Sequence, residues 1–298
     1  MMHKLIWVDA FTDKLFGGNP CAVVFDADSL SDDQMHTLAR EMNLSETAFI
    51  VKSTRANFGA RYFTPAEEIP LAGHPTLSVI RALISEGEID VKDARKTVTL
   101  ELKAGVINVD IYREASDYQI VMTQKKPQFL TTHDPKIVTK IFGIQESDLI
   151  PGCPIQTVST GTPQLMILVK SLDVLKKSSI DIHAYQSYKS QSDFFSPHLF
   201  CLSGVTHEGN TFARHLGVPP EAAEDAFTGS ATGGMGAFLW HYGLITSPHF
   251  IAEQGHWMGR PGRAKVEIVG ERENIESVRV GGSVVIVMKG EINSSAHA

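Results

Sequence analysis

Glu46 stands where a carboxyl group could act as a general acid or base. It follows a predicted helix and opens a short apolar segment, Thr47-Ala48-Phe49-Ile50. A carboxyl group there would be partly desolvated, which raises its pKa toward the range useful for proton transfer. A solvated glutamate at a strand end would have the same sequence, so Glu46 is a candidate only.

A glycine and a short polar residue precede two predicted helices, in Gly73-His74-Pro75-Thr76 and in Gly229-Ser230-Ala231-Thr232. The first backbone N–H groups of a helix have no partner within it and lie at the positive end of its dipole. Two such helix starts facing one cleft would bind a carboxylate. Alternatively, both glycines form tight turns whose polar neighbours only cap the helices.

His74 and Asp225 are further candidate polar groups beside these helix starts. Asp225 precedes the second glycine turn and follows the acidic residues Glu221 and Glu224. His74 could equally be a capping or hydrogen-bonded core histidine, and Asp225 a helix or turn cap. Neither residue alone identifies an active site.

The hydrophobic pattern of the first half predicts the elements that position these residues. Ser31 and Gln34 have the spacing of a capping box, which predicts a helix over about 32–43. The segment TLSVIRALI, residues 76–84, is apolar on most faces and predicts a helix buried all round. Strands are predicted near 5–11, 21–25, 47–51, 57–63, 97–102, 105–112 and 118–123.

The second half repeats this layout after Pro127, beginning with a polar linker. Its buried helix, ATGGMGAFLWHYG over 231–243, has glycines that indicate a close approach of neighbouring backbone. Strands around one buried helix per half predict two barrel-like domains. The other predicted elements are helices near 135–142 and 181–190 and strands near 155–159, 164–169, 197–204, 210–215, 248–253, 264–269 and 276–288.

Composition and charge exclude several classes of function. A formal charge of -7 and 43% hydrophobic residues fit a globular protein without a basic field for nucleic acid. No apolar run approaches the about 20 residues that span a bilayer, and the N-terminal segment meets an acid too early for a signal peptide. We therefore expect a cytoplasmic protein that binds neither nucleic acid nor membrane.

Cysteines and histidines give no indication of a metal or redox site. Cys21, Cys153 and Cys201 are far apart, without a CxxC pair, and are expected to be buried thiols. The twelve histidines are scattered, without an HExxH motif. No metal ion is expected.

Six stretches occur in the order and at the spacings seen in PhzF-like (phenazine biosynthesis isomerase-like) proteins. They are DAFTDKLFGGNPCAVVFDAD, LSETAFI, RYFTPAEEIPLAGHPTLS, STGTPQLMI, EDAFTGSATGGMGAFL and QGHWMGRPGR. They run from residue 9 to about residue 263, and with the terminal strands the resemblance covers the whole chain.

The resemblance implies an α+β protein with the diaminopimelate-epimerase-like fold. In this fold two pseudo-symmetric, barrel-like lobes each surround a central helix, and the active site lies between them. The lobes would comprise residues 1–125 with a returning strand in 281–298, and residues 126–280. Similar proteins isomerise a dihydro-hydroxyanthranilate without a metal or organic cofactor, so no cofactor is expected, and the resemblance also implies a homodimer.

Carried over residue by residue, the family's catalytic glutamate falls on Glu46, its histidine on His74 and its aspartate on Asp225. Glu46 would be the general acid/base, while His74 and Asp225 would orient the substrate and tune Glu46. The family's serine falls on Ser230, and backbone N–H groups near the two glycines would hold a substrate carboxylate. The residues predicted to bind the substrate are Ser45, Gly73, Pro75, Thr76, Gly229 and Ser230.

The chain departs from related proteins in two places. The family usually has Pro-Val where this chain has Ala226-Phe227, and the bulkier Phe227 is expected to change the shape of the pocket. Related epimerases and racemases use a cysteine at each central-helix start, whereas this chain has Ala72 and, approximately, Ala226. A two-thiol racemase mechanism is therefore excluded.

The leading hypothesis is an isomerase that abstracts and returns a proton on a small carboxylate-bearing substrate through Glu46. One alternative is an amino-acid or hydroxy-acid epimerase or racemase that pairs Glu46 with a second base such as Asp225. Another is a non-catalytic small-molecule-binding protein. Loss of configuration at one carbon would indicate the epimerase, and tight binding without solvent exchange would favour the binding protein.

Overall fold

A computed structural model describes residues 1–114, 117–219 and 222–294. The chain divides into two compact units. The first contains Met1–Thr123, Ala222 and the described chain from Gly281 onward, and the second contains Gln124–Pro219 and Ala223–Val280. Within the described residues, no helix is both long enough and apolar enough to cross a membrane.

Strands make up most of the regular structure. In chain order they are β1 (Met2–Ala10), β2 (Asn19–Val24), β3 (Glu46–Val51), β4 (Phe58–Phe63), β5 (Glu68–Ile69), β6 (Arg95–Leu102), β7 (Gly105–Glu114), β8 (Asp117–Gln124), β9 (Gln128–His133), β10 (Ile155–Ser159), β11 (Pro163–Leu168), β12 (Ser196–Cys201), β13 (Thr211–Leu216), β14 (Glu224–Asp225), β15 (His249–Gln254), β16 (Gly262–Glu271), β17 (Asn274–Gly282) and β18 (Val284–Asn293). The helices are α1 (Asp32–Met42), α2 (Gly73–Ser85), α3 (Pro135–Ile141), α4 (Leu172–Lys177), α5 (Ile182–Lys189) and α6 (Gly229–His241).

The first unit is a mixed sheet with the strand order β18-β1-β2-β3-β4-β6-β7-β8, and β5 also pairs with β4. Neighbouring strands are antiparallel except β2–β3 and β4–β6, which are parallel. Parallel neighbours need a crossover connection, and the helices α1 and α2 lie in these two crossovers.

The second unit has the strand order β9-β10-β11-β12-β13-β15-β16, and β14 also pairs with β13. Its parallel pairs are β11–β12 and β13–β15. The first crossover contains α4 and α5, and the second contains α6. The two units therefore repeat one topology, in which the second crossover carries the central helix.

This repeat explains a strand that the sequence did not predict. β9 pairs antiparallel with β10, as β18 pairs with β1 in the first unit. The prediction of a polar linker after Pro127 is wrong here, because Gln128–His133 forms a strand whose side chains are mostly exposed. Backbone pairing with β10 stabilises this strand without an apolar side-chain pattern.

Helix α1 begins and ends as its sequence dictates. The Ser31 hydroxyl accepts a hydrogen bond from the Gln34 backbone N–H, and the Gln34 side chain accepts one from the Ser31 N–H, so the predicted capping box is present. Asn43 ends the helix in the left-handed conformation, with φ 51°. Met35 and Ala39 are buried in one apolar cluster with Phe49 of β3. The helix therefore fixes where β3, and with it Glu46, begins.

The central helices α2 and α6 are buried on nearly all sides, as predicted. α2 packs against β1, β2, β3 and β18, and within it only Arg81 and the last two residues are not buried. α6 packs against β10, β11 and β16 and is buried from Gly229 to Leu239. Each helix therefore lies inside the sheet of its own unit.

The glycines of α6 make room mainly for side chains. A Cβ at Gly233 would overlap the carboxamide of Gln124, and one at Gly234 would lie 2.7 Å from the terminal methyl of Met166. The sequence predicted an approach of neighbouring backbone instead. The difference arises because long side chains from the surrounding strands reach the helix surface.

Other differences from the predicted elements are local. The strand predicted over 276–288 is two strands, β17 and β18, separated at Ser283. Helix α4 was not predicted. Cys21 and Cys201 are buried as expected, whereas Cys153 is only half-buried.

A turn closed by two glycines follows β15 and lies against the segment after β14. Gly255 and Gly259 both have positive φ, 82° and 71°, and flank the short 3-10 helix His256–Met258. A Cβ at Gly255 would overlap the carbonyl oxygens of Ala226 and Arg260, whereas a Cβ at Gly259 would meet nothing within 4 Å. The two positions share a backbone conformation but differ in the space available.

We predict that Gly255→Ala destabilises the protein more than Gly259→Ala. Both changes carry the cost of a left-handed alanine, roughly 1–2 kcal/mol. Only Gly255→Ala must also displace backbone, which adds about 1–3 kcal/mol. Urea denaturation of both variants measures the difference, and equal midpoints would contradict the steric argument.

Two buried histidines lie side by side in the second unit. The Nδ1 atoms of His198 and His215 are 3.3 Å apart, and His215 Nε2 is 2.9 Å from the Ser196 hydroxyl. Burial lowers the pKa of His215 from 6.5 to about 4, and burial also holds the pKa of His198 well below its usual value. Both rings are therefore neutral in the folded protein near neutral pH.

We predict that this histidine pair makes the protein acid-sensitive. The unfolded chain takes up a proton on His215 near pH 6.5, but the folded protein does so only near pH 4. The free energy of unfolding should therefore fall as pH decreases through this window, by up to about 1.4 kcal/mol per pH unit for each histidine.

Urea titrations between pH 8 and pH 4.5 measure this effect. His215→Gln should show a shallower loss of stability than the wild type. The control, His249→Gln, changes an exposed histidine of β15 and should retain the wild-type slope. An unchanged slope in His215→Gln would refute the prediction.

Candidate active site

Glu46 is the first residue of β3 and lies beside the buried strand β2. In the parallel pairing of the two strands, Glu46 is the partner of Cys21. The side chain of Glu46 is 17% exposed, although the three residues after it are buried. The sequence placed this carboxyl group at the mouth of an apolar strand, and the structure has the same arrangement.

His74 faces Glu46 from the start of the central helix. It is the second residue of α2, its side chain is 3% exposed, and its Nε2 lies 3.3 Å from Glu46 Oε2. The two residues are far apart in sequence but meet because α2 packs against β3. The structure thus brings together two of the three predicted catalytic residues within the first unit.

Asn19 is a polar residue of this site that sequence analysis missed. It is the first residue of β2, is completely buried, and its Nδ2 lies 3.0 Å from His74 Nδ1. Its position in Gly17-Gly18-Asn19-Pro20 was attributed to a hairpin turn alone. A buried asparagine directly after a tight turn was the available signal, since a buried amide requires hydrogen-bond partners.

Cys21 lies next to this pair but is unsuited to nucleophilic chemistry. Burial, and next the neighbouring charge of Glu46, raise the pKa of the Cys21 thiol. The thiol is therefore protonated at neutral pH, and a protonated thiol is a poor nucleophile. The position that caps α2 is Ala72, as the sequence indicated.

The remaining predicted binding residues of the first unit surround the start of α2. Gly73 and Pro75 are buried, and Ser45 is half-buried. The Thr76 hydroxyl is completely buried, donates to the Ala72 carbonyl oxygen at 2.7 Å and contacts the Tyr62 hydroxyl at 3.0 Å. Thr76 therefore stabilises the first turn of the helix through its side chain.

Asp225 forms a separate polar group in the second unit, at the end of β14. Its carboxylate accepts a hydrogen bond of 2.6 Å from the Thr228 hydroxyl, and its backbone carbonyl accepts one of 2.8 Å from Gln254 Nε2. Gln254 Oε1 also accepts a hydrogen bond from the Thr228 backbone N–H. Sequence analysis missed Thr228 and Gln254 as the residues that hold Asp225 in place.

Gly229 and Ser230 begin α6, and both are buried. Gln124 Nε2 donates to the Gly229 carbonyl oxygen at 2.8 Å, and Gln124 Oε1 accepts from the Thr160 hydroxyl. This buried chain of hydrogen bonds fixes the first turn of the second central helix.

The structure locates both positions at which this sequence departs from related proteins. Phe227 is completely buried and packs against Gly262, where a Cβ would lie 2.6 Å from the ring. Its bulk therefore fills the core of the second unit. The residue that caps α6 is Thr228, so the counterpart of Ala72 is Thr228 and not Ala226. Neither helix start carries a thiol.

No group of His, Cys, Asp or Glu side chains that could hold a metal ion occurs in residues 1–114, 117–219 or 222–294. In the first unit, the Glu46 carboxylate and the Asn19 amide both lie beside the His74 imidazole. Such a group can hold and move a proton.

Comparison with known proteins supports a family assignment. The chain matches the phenazine biosynthesis-like protein family, PhzC-PhzF, over residues 8–290. It is 35% identical to an uncharacterized isomerase of Clostridium acetobutylicum, over 97% of this chain and 98% of that protein. It is 31% identical to the trans-2,3-dihydro-3-hydroxyanthranilate isomerase of Pseudomonas fluorescens, over 98% of this chain and 99% of that protein.

A solved structure agrees with these relatives. The phenazine biosynthesis protein of the PhzF family from Bacillus anthracis superposes with a TM-score of 0.86 at 30% identity, covering 98% of this chain and 99% of that one. The predicted fold class, α+β and diaminopimelate-epimerase-like, is confirmed. The matches over nearly the whole length show that this chain is an isomerase of the phenazine biosynthesis-like, or PhzF, family.

Proposed function

We propose that this isomerase moves a proton between two carbons of a small carboxylate-bearing substrate, with Glu46 as general acid and base and without a cofactor. The observation that carries the proposal is the partly exposed Glu46 carboxylate facing the buried His74 imidazole at 3.3 Å. One carboxylate oxygen is buried against the imidazole while the side chain remains partly exposed. The activity in the name of the Pseudomonas fluorescens relative supports the same class of reaction.

The proposed chemistry balances with Glu46 alone. The carboxylate removes a proton from one carbon, and the electron pair of the broken C–H bond shifts the adjacent double bond. The protonated carboxyl group then returns the proton to the carbon at the far end of the shifted bond. No electrons leave the substrate, so the reaction needs no redox partner.

The same proposal gives His74 a tuning role. An imidazole N–H facing Glu46 Oε2 stabilises the carboxylate, whereas partial burial of the carboxyl group favours its neutral form. The two effects act in opposite directions on the protonation of Glu46. A general acid/base must both accept and return the proton, so the balance of these effects sets how readily Glu46 does each.

We further propose that backbone N–H groups near Gly73 hold the substrate carboxylate, with Ser45, Pro75 and Thr76 beside them. The positive end of the α2 dipole favours an anion at this position. Thr76 would support this turn of the helix, because its hydroxyl is bonded to the Ala72 carbonyl oxygen. The roles assigned to Asp225, Gly229 and Ser230 in the same reaction stay predictions.

Two broader expectations belong to the same proposal, a cytoplasmic location and a homodimer. Sedimentation equilibrium at micromolar concentration should give about twice the chain mass of 32.6 kDa. A species with the mass of a single chain would refute the dimer without affecting the assignment of Glu46.

The central prediction concerns Glu46→Gln, which retains size and polarity but cannot transfer a proton. Turnover of trans-2,3-dihydro-3-hydroxyanthranilate, or of another substrate found by screening carboxylates, should fall about 10²–10⁴-fold. In deuterated buffer the protonated Glu46 carboxyl group should exchange its proton with solvent before returning it, so the wild-type product should acquire deuterium at the carbon that receives the proton. Mass spectrometry of the product measures both effects.

A matched control is Glu41→Gln, the same chemical change at an exposed position of α1, which should leave turnover unchanged. Glu46→Gln with near-wild-type turnover, together with loss of activity in Asp225→Asn, would assign the acid/base to Asp225. Exchange that inverts one carbon without moving a double bond would identify an epimerase instead.

A further inference from the structure

Asn19 is held in place by the turn that joins β1 to β2. It is the partner of Ala10 in the antiparallel pairing of these strands. The preceding Gly18 has φ 52°, and a Cβ there would overlap the Ala10 carbonyl oxygen. On the other side of the turn, the buried Asp9 carboxylate accepts a hydrogen bond of 2.8 Å from the Phe16 N–H. These contacts fix the backbone from which the Asn19 amide extends.

The contact between Asn19 and His74 determines which ring nitrogen carries a proton. Asn19 Nδ2 lies 3.0 Å from His74 Nδ1. An amide N–H donates to an imidazole nitrogen only if that nitrogen has no hydrogen. The ring proton of the neutral imidazole is then on Nε2, the atom that faces Glu46 Oε2 at 3.3 Å.

We propose that Asn19 is a positioning residue that fixes His74 as the neutral Nε2–H tautomer and so directs an N–H donor at the Glu46 carboxylate. An imidazolium carries hydrogens on both nitrogens, and its Nδ1–H would oppose the amide N–H of Asn19. Asn19 therefore disfavours the cationic form as well as the other tautomer. The consequence for catalysis rests on the proposed function, whereas the tautomer itself does not.

This arrangement also decides which oxygen of Glu46 receives the substrate proton. Glu46 Oε2 is buried and faces the ring nitrogen at 3.3 Å, so a substrate would reach the other oxygen. The proton taken from carbon then resides on Oε1. His74 stays neutral, and the mobile proton remains on the residue that must return it.

Two titratable groups on β2 and β4 carry no charge that would override this effect. Cys21 on β2 and Tyr62 on β4 are completely buried, and burial raises the pKa of each. Both are neutral at neutral pH, and the carboxyl group that His74 faces at 3.3 Å is that of Glu46 on β3.

Nuclear magnetic resonance of the full-length protein labelled with ¹⁵N-histidine tests the proposal without a substrate. The signals of His74 are assigned by their absence in His74→Gln. In the wild type, His74 should be the Nε2–H tautomer near neutral pH. An Nδ1–H tautomer, or a cationic ring at pH 7, would overturn the proposal.

Asn19→Asp provides the matched perturbation, because a carboxylate accepts from Nδ1–H where the amide donates. It should place the imidazolium between two carboxylates and raise the His74 pKa by about 1–3 units, a tenfold or larger gain in proton affinity. Asn108→Asp adds the same charge at an exposed position of β7 and should leave His74 unchanged. An unchanged His74 pKa in folded Asn19→Asp would also overturn the proposal.

The outcome is separable from that of the proposed function. If Glu46→Gln retains turnover while His74 is the Nε2–H tautomer, the catalytic role of Glu46 fails and the role of Asn19 stands. If His74 is the Nδ1–H tautomer while Glu46→Gln is inactive, the role of Asn19 fails and the catalytic role of Glu46 stands.

Discussion

A helix that is enclosed by strands can offer its backbone to a ligand only at its ends. This constraint governs both units, because the side chains of α2 and α6 are occupied by packing along nearly their whole length. Polar groups therefore gather where the helix begins. Glu46 reaches the start of α2 because β3 runs beside that helix and begins at the same end of the sheet. The proximity of Glu46 and His74 thus depends on the packing of α2 against β3.

The two units share one topology but have different residues at the corresponding strand starts. β3 and β12 each follow the first crossover, but β3 begins with Glu46 and β12 with Ser196. β2 and β11 likewise correspond, but β2 begins with Asn19 and β11 with Pro163, which has no side-chain amide. The fold repeat alone therefore does not bring a carboxylate and an imidazole together. The pair depends on a few residue choices at strand starts in the first unit.

The sequence indicated the fold class and most elements because capping, turns and apolar periodicity are local properties. It also singled out Glu46 and His74, largely through the resemblance to the PhzF family. It could not indicate that Asn19 contacts His74, because that contact depends on how β2 and α2 pack together. It missed β9 for a related reason, since an exposed strand stabilised by backbone pairing has no apolar alternation.

The pairing of the first and last strands has a consequence for biosynthesis. Met2 lies opposite Asn293, so β1 has its partner on one side only after almost the whole chain has been synthesised. All residues of the second unit leave the ribosome before β18 does. The second unit has therefore been fully synthesised while β1 still lacks this partner. Until then β1 presents an open hydrogen-bonding edge, which is a template for pairing with other chains. The nascent chain thus passes through a stage in which one edge of its N-terminal strand is open to pairing with other chains.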